Sequence, residues 1–271
     1  LSMQAWNFCV ANYYKNNCAP WTLSLKDKNT CFIGISFHKV FTEGGGKMRS
    51  SIAQAFNYEG KGIIFVGKEF KWDYDETHTK APHLTYEYAK ALMMDVINQY
   101  KEYNTVLPNR VVIHKTTDYW DSSTHAEYAE AEGLRDGIQE VLGTEITIDL
   151  VSIKSSEFKL LRKQGNYPVI RGTLLTLDKV TGVLYTTGYI PIYETYPGVH
   201  IPRPLEITIY DGDTTLKKVS QEILSLTKLN FNNCNYYDSL PITLRFAQKV
   251  GEIIQYMDEN GIPPNKYYFY M

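Results

Sequence analysis

Apolar residues recur along this chain with two periods, and the changes of period mark its elements. Trp6, Cys9, Val10 and Tyr13 recur at helical spacing over 5–14, and Pro20-Trp21 lies beyond the stop. The run Cys31-Phe32-Ile33-Gly34-Ile35-Ser36-Phe37-His38-Lys39-Val40 reads as a strand with a close-fitting Gly at its centre and one small polar residue, Ser36. Strands follow over 48–58 and 63–67, joined by Gly-rich turns at 43–47 and 59–62, which predicts an antiparallel meander. The polar stretch 70–82 reads as a surface loop. Ala89, Leu92, Met93, Val96, Ile97 and Tyr100 then form one stripe of a helix over 85–103. A short buried-type strand over 110–114 adds to the sheet in parallel.

A second helix over 127–142 carries Gly133 and Gly137, which predict a break or kink, and 145–153 alternates as a strand. Strand pairs are expected around Gly182 and Gly188, and a further strand over 205–210. Leu216, Val219, Ile223 and Leu226 face inward from a helix over 216–226. The last helix opens at Pro241 and is lined by Phe246, Val250, Ile253, Ile254 and Met257. The tail Tyr267-Tyr268-Phe269-Tyr270-Met271 is apolar enough to require docking. This order of elements predicts an α/β fold of RNase H-like type, a mixed central sheet flanked by helices, as one domain over 1–271.

Composition narrows the function. The chain has 271 residues, enough to bury a substantial core, and a formal net charge of -2. A nucleic-acid site must therefore be a local patch. The most basic stretch is 154–171, with Lys154, Lys159, Arg162, Lys163 and Arg171 against one acid, Glu157. The 22 Tyr suit stacking surfaces or large interfaces as well as a Tyr-rich core. The four Cys show no Cys-x-x-Cys spacing, which disfavours zinc and a disulfide framework and favours a reducing cytoplasm. No run is long and apolar enough to span a membrane, and no signal-peptide layout opens the chain. Glu43-Gly44-Gly45-Gly46-Lys47 lacks phosphate-loop spacing.

Several segments in order resemble the PIWI domain of prokaryotic Argonaute proteins, of the catalytically inactive type. They are Tyr13-Tyr14-Lys15 through Pro20-Trp21, Phe32-Ile33-Gly34-Ile35-Ser36-Phe37, Val111-Val112-Ile113-His114-Lys115-Thr116, Tyr167 through Arg171-Gly172-Thr173, and Leu226-Thr227-Lys228-Leu229-Asn230-Phe231-Asn232 with Leu240-Pro241-Ile242-Thr243. The resemblance spans nearly the whole chain and implies guide-directed nucleic-acid recognition. The MID domain that precedes PIWI in an Argonaute is not expected in this chain. Slicing members hold two metal ions with acidic residues. Here the expected positions read Ser36 on the opening strand, Thr116 in His114-Lys115-Thr116, and Arg245 or Phe246 on the last helix. None is a carboxylate, so the resemblance implies a reader that does not cut.

It further implies that Lys15 contacts the guide five-prime phosphate, beside the plain alternative of a lysine complementing a helix C-terminus. A divalent cation, Mg, would share that phosphate with the carboxylate of Met271, and none would serve catalysis. Lys115, Arg162, Lys163, Arg171, Lys228 and Asn230 are the expected nucleic-acid contacts; a charge run is as often a solvated face, and His114 is expected to be buried and satisfied. The partners implied are guide and target nucleic acid, the MID-containing part of the Argonaute, and an effector (a nuclease, a sirtuin-like or TIR NADase, or a membrane protein) acting in prokaryotic defence. Two other readings stay open. One is a divergent metal-dependent RNase H-like nuclease using Asp118, Asp121, Asp73 or Asp75. The other is a structural protein using the fold to hold a partner.

Overall fold

The β-branched run near the start forms β1 (Thr30–Phe41), and it lies inside an eight-stranded sheet of order β3-β2-β1-β4-β5-β8-β7-β6. The structure, a computed structural model, describes residues 1–16, 18–24, 29–41, 47–56, 62–72, 79–162, 168–196, 198–232, 234–235 and 237–254. β2 (Lys47–Phe56) and β3 (Gly62–Lys71) extend β1 on one side as the expected antiparallel meander. On its other side β4 (Arg110–Lys115) pairs in parallel, and β5 (Thr147–Ser155) pairs in parallel with β4. β6 (Leu174–Thr176), β7 (Thr181–Leu184) and β8 (Leu205–Asp211) complete the sheet, β8 lying antiparallel to β5.

Strand alternation sorts the core into two layers. Phe32, Val112, Val151 and Ile207 face α1 (Ser2–Lys15), α4 (Leu216–Leu226) and α5 (Ile242–Ile254). Ile33, Ile35, Ile113 and Leu150 face α2 (Tyr86–Tyr103) and α3 (Glu130–Leu142). β4 is buried along its whole length because both layers cover it. The predicted helices are thus found, with two corrections. β3 runs on to Lys71, and Trp72, placed in the expected surface loop, is buried with its indole N–H donating to the Thr79 carbonyl at 3.0 Å. Gly133 and Gly137 do not break α3. They are where α2 touches it: a Cβ at either would stand 2.4 Å from the carbonyl oxygen of Tyr86 or of Lys90.

Gly34 plays the same part at the centre of β1. A Cβ there would lie 2.3 Å from the Thr243 carbonyl oxygen, so α5 rests directly on the strand. Gly34→Ala must push α5 outward and is expected to cost about 1–3 kcal/mol by overpacking. A lowered urea midpoint with an unchanged slope checks this; an unchanged midpoint would show that α5 sits elsewhere. The tail 267–271 and Met257 lie outside the described residues. No helix among the described residues is long and apolar enough to cross a membrane.

Candidate nucleic-acid interface

Two adjoining hollows, of about 640 and 980 Å³, share Ile190, Tyr193, Cys234, Asn235 and Tyr237 and so form one groove. Its floor and walls come from distant parts of the chain. The loop after α4 is held from one side by two indoles: Trp6 N–H donates to the Phe231 carbonyl at 2.8 Å, and Trp21 N–H to the Lys228 carbonyl at 2.9 Å. Trp6 and Trp21 pack together at 5.7 Å between ring centroids. The opposite wall is the turn-rich stretch 187–196 with 198–203, which includes a 3-10 turn over Pro191–Tyr193.

The cations of the groove are Arg171 and Lys228 in the smaller hollow and Arg203, Arg245 and Lys249 in the larger. The carboxylate in its lining, Asp238, is already committed. It accepts from Arg245 Nε at 2.8 Å and from the Asn230 amide at 2.7 Å. Burial pushes the Asp238 carboxyl up, but Arg245 and Asn230 outweigh it and hold it below the usual aspartate range.

Arg171 differs from the other cations. It is half-buried, its Nη2 donates to Thr227 Oγ1 at 2.7 Å and to the Leu224 carbonyl at 3.3 Å, and its guanidinium lies 4.6 Å over the Tyr237 ring. Among the described residues its Nε has no hydrogen-bond partner and no carboxylate pairs with it. Burial pushes its pKa down from the ordinary arginine value, yet an arginine stays charged at neutral pH. A partly desolvated cation without a counter-charge on the wall of an open groove is built to meet an anion.

The other expected contacts divide. Lys228 is exposed and lines the groove. Lys15 is exposed at the C-terminal end of α1. Arg162 is half-buried with its guanidinium 4.8 Å over the Tyr189 ring. Lys163 and Met271 lie outside the described residues. Asn230 reaches the rim of the groove, but both ends of its amide are used inside its own loop, by Asp238 and by the backbone N–H of Asn232 at 3.1 Å. These bonds shape the loop, while Asn230 itself lines the groove. The sequence reading missed the aromatic wall of Trp6, Trp21, Tyr193 and Tyr237. It also missed the i, i+4 pair Arg245 and Lys249, whose spacing already placed both on one face of the last helix.

Lys115 is the clear correction. Expected to meet the nucleic-acid backbone, it is 0% exposed. It shares the phase of Val111 and Ile113 on β4, so it points between the sheet and α3. There its Nζ donates to Glu130 Oε2 and to the Asp118 carbonyl at 3.1 Å, with His83 Nδ1 at 3.2 Å. Glu130 also accepts from the backbone N–H of Leu84 at 3.1 Å. Burial pushes the Glu130 carboxyl up, but Lys115 and His83 outweigh it and hold it below the usual glutamate range.

Ser36 is buried on the opposite face of the sheet, the face that carries α5. Gly34 pairs with His114 and Ile35 with Lys115, so the same register sets Ser36 level with Thr116. These two expected positions therefore lie near the carboxyl end of β4, Ser36 partway along β1 and Thr116 just past the last paired residue of β4. Phe246 does not join them: it is fully buried, edge-on to Phe56 at 6.5 Å between centroids, because it fills the core under α5. His114 is buried as expected, but only half satisfied. Its Nδ1 meets Thr243 Oγ1 at 2.9 Å and its Nε2 has no partner; burial, and then Arg110, push its pKa down to about 3.

Of the acids in the nuclease reading, Asp118 pairs with Lys154 at 2.5 Å. The carboxylate of Asp121 closes its own turn, accepting from the N–H groups of Ser123 and Thr124 at 3.1 and 2.9 Å. Asp73 and Asp75 lie outside the described residues. Among the described residues no group of three or more His, Cys, Asp or Glu is placed to hold a metal ion.

No protein-family model and no curated protein matches the chain. Solved structures do. Aa-Ago with externally bound siRNA superposes with a TM-score of 0.63 at 17% identity, over 96% of this chain and 32% of that one. Clostridium butyricum Argonaute bound to a guide DNA and a 19-mer target DNA gives 0.60 at 20% identity, over 92% and 29%. Marinitoga piezophila Argonaute with a 5′ OH guide RNA gives 0.56 at 16% identity, over 84% and 30%. The chain thus spans about a third of the length of the Argonautes it matches. The likeness establishes the fold: the mixed sheet and its two helical layers are the RNase H-like arrangement of an Argonaute PIWI domain.

Proposed function

We propose that this chain is a nucleic-acid-binding PIWI module, which holds a guide strand along the groove and recognises a complementary target without cutting it. The observation that carries the reading is Arg171, a half-buried cation with no carboxylate partner among the described residues, facing a groove lined by further cations and by aromatic rings. Phosphates supply the missing counter-charge, and the rings offer faces on which bases stack whatever their identity. Base pairing reads sequence while the protein grips the backbone.

Non-cleavage rests on the side chains of Ser36 and Thr116, hydroxyls at the positions where the family resemblance calls for metal-binding carboxylates. A hydroxyl pair supplies neither the charge nor the oxygen donors that two divalent cations require. Lys15 belongs to the same reading as a ligand of the guide five-prime phosphate. A Mg ion shared with the Met271 carboxylate would neutralise that phosphate further. The described residues supply no donor cluster for it, so no step of this function passes through it. The remaining partners of the reading are the MID-containing part of an Argonaute and a separate effector in prokaryotic defence.

Fluorescence anisotropy with a labelled, five-prime-phosphorylated oligonucleotide tests the groove. Arg171→Ala is expected to weaken binding about ten- to a hundredfold, the loss of charge-assisted hydrogen bonds, and affinity should fall steeply with salt. Arg171→Ala binding as tightly as the parent would remove the groove assignment. Magnesium-dependent cleavage of a labelled guide–target duplex, abolished by Asp118→Ala, would replace the reader with the nuclease.

A further inference from the structure

The segment 116–129 leaves the carboxyl end of β4, beside the parallel strand β1, the edge at which open α/β sheets bind ligands. It carries an aromatic column on the layer of α2 and α3. His83 and Trp120 are stacked at 3.9 Å with 6° between planes, and Trp120 and His125 at 3.6 Å with 4°. The three rings are therefore nearly parallel, at spacings close to the ~3.4 Å rise between bases along a strand.

The column is fixed at its base and along its sides. His83 is buried, with Nδ1 at 3.0 Å from Glu130 Oε2. Tyr128 meets Trp120 edge-on at 5.0 Å, and buried Trp72 lies 5.9 Å from it. The backbone that carries the top ring is also fixed: the His125 N–H donates to the Asp121 carbonyl at 2.8 Å, and the His125 carbonyl accepts from Tyr128 and Ala129 at 2.9 and 3.1 Å. Ala129 takes a left-handed conformation, φ 40°, that turns the chain into α3. Trp120 is covered on both faces. His125 is exposed, so the column ends in solvent on a flat, preorganised ring.

We propose that this column is a nucleobase-stacking site, on which an unpaired base of a bound strand continues the stack over the outer face of His125. The ligand class is an unpaired base, purine or pyrimidine, because stacking on a ring needs only a π face. The site is separate from the groove, whose lining residues lie on the α4 and α5 side and in 187–203. It rests on the reading that the chain binds a nucleic-acid strand.

The test is an abasic scan. A fluorescein-labelled single-stranded oligonucleotide, and versions with one abasic residue moved along it, are titrated against the parent chain, His125→Leu and His125→Phe. Leu covers Trp120 without offering a π face, whereas Phe restores one. In the parent one position should show an affinity loss of about fivefold or more when its base is removed. His125→Leu should lose that position from its profile, and His125→Phe should keep it. Matching melting temperatures establish that all three chains are folded, as expected for an exposed residue. Identical abasic profiles for the parent and His125→Leu, with binding retained, overturn the stacking site alone. Failure of every strand to bind overturns the groove reading and this one together.

Discussion

Glu130→Ala is expected to destabilise the fold by about 3–5 kcal/mol, because it strands the Lys115 ammonium in the core. Lys115 and Glu130 are both 0% exposed, so water cannot replace the lost partner. The deletion also frees the Leu84 N–H and removes the carboxylate against which His83 sits. Urea unfolding measures the loss. Replacing both charges, Lys115→Met with Glu130→Leu, is expected to recover most of it, since a buried ion pair gains little over apolar packing of similar volume. A double variant no more stable than Glu130→Ala would mean that the pair itself is required.

The pair also sets an acid limb. The folded-state pKa of Glu130 lies below its ordinary value, so its contribution is present above about pH 4.3 and is lost as pH falls through the lower folded value. Glu130→Gln should therefore flatten the fall of stability with acid in that window. An unchanged acid limb would place the source in another carboxylate.

Arg110→Met is expected to cost a comparable 3–5 kcal/mol, by the opposite charge arithmetic. Arg110 Nε donates to Asp149 Oδ2 at 2.6 Å, and its two terminal nitrogens reach Glu222 at 2.6 and 3.0 Å. One buried guanidinium thus ties β4, β5 and α4 together and neutralises two carboxylates. Methionine fills the volume but leaves both acids buried without a cation. Thr214, which donates to Asp149 through its hydroxyl at 2.7 Å, relieves only part of that. Arg110→Lys keeps the charge but loses the fork, so an intermediate loss is expected. Thermal unfolding orders the three chains. Lys and Met losing equally would show that geometry, not charge, is what the site needs.

The layers of this fold were legible because amphipathic spacing reports which face is covered, and the predicted helices were found where that stripe was clear. Gly133 and Gly137 were misread because a glycine in a helix has two meanings. Alone it weakens the helix, but at i, i+4 it marks a face where a second backbone approaches. The parity of Lys115 with Val111 and Ile113 did carry its orientation, since a strand residue cannot change faces without a bulge. What the sequence lacked was the counter-charge, since Glu130 is fifteen residues away and comes from another element. Arg171 and Lys228 were reachable from local charge and from the family resemblance. Trp6 and Trp21 were not, because their role depends on which loop they meet.

That last dependence sets when the groove can exist. The indole of Trp6 reaches a carbonyl 225 residues away, and that of Trp21 one 207 residues away. Contacts at such separations carry the largest loop-closure entropy and form late. The β1–β2–β3 meander, by contrast, is local and can assemble early. A chain still being synthesised will therefore carry part of its sheet before it has any groove. If the groove holds a strand as proposed, that strand has nothing to engage until nearly the whole domain has closed.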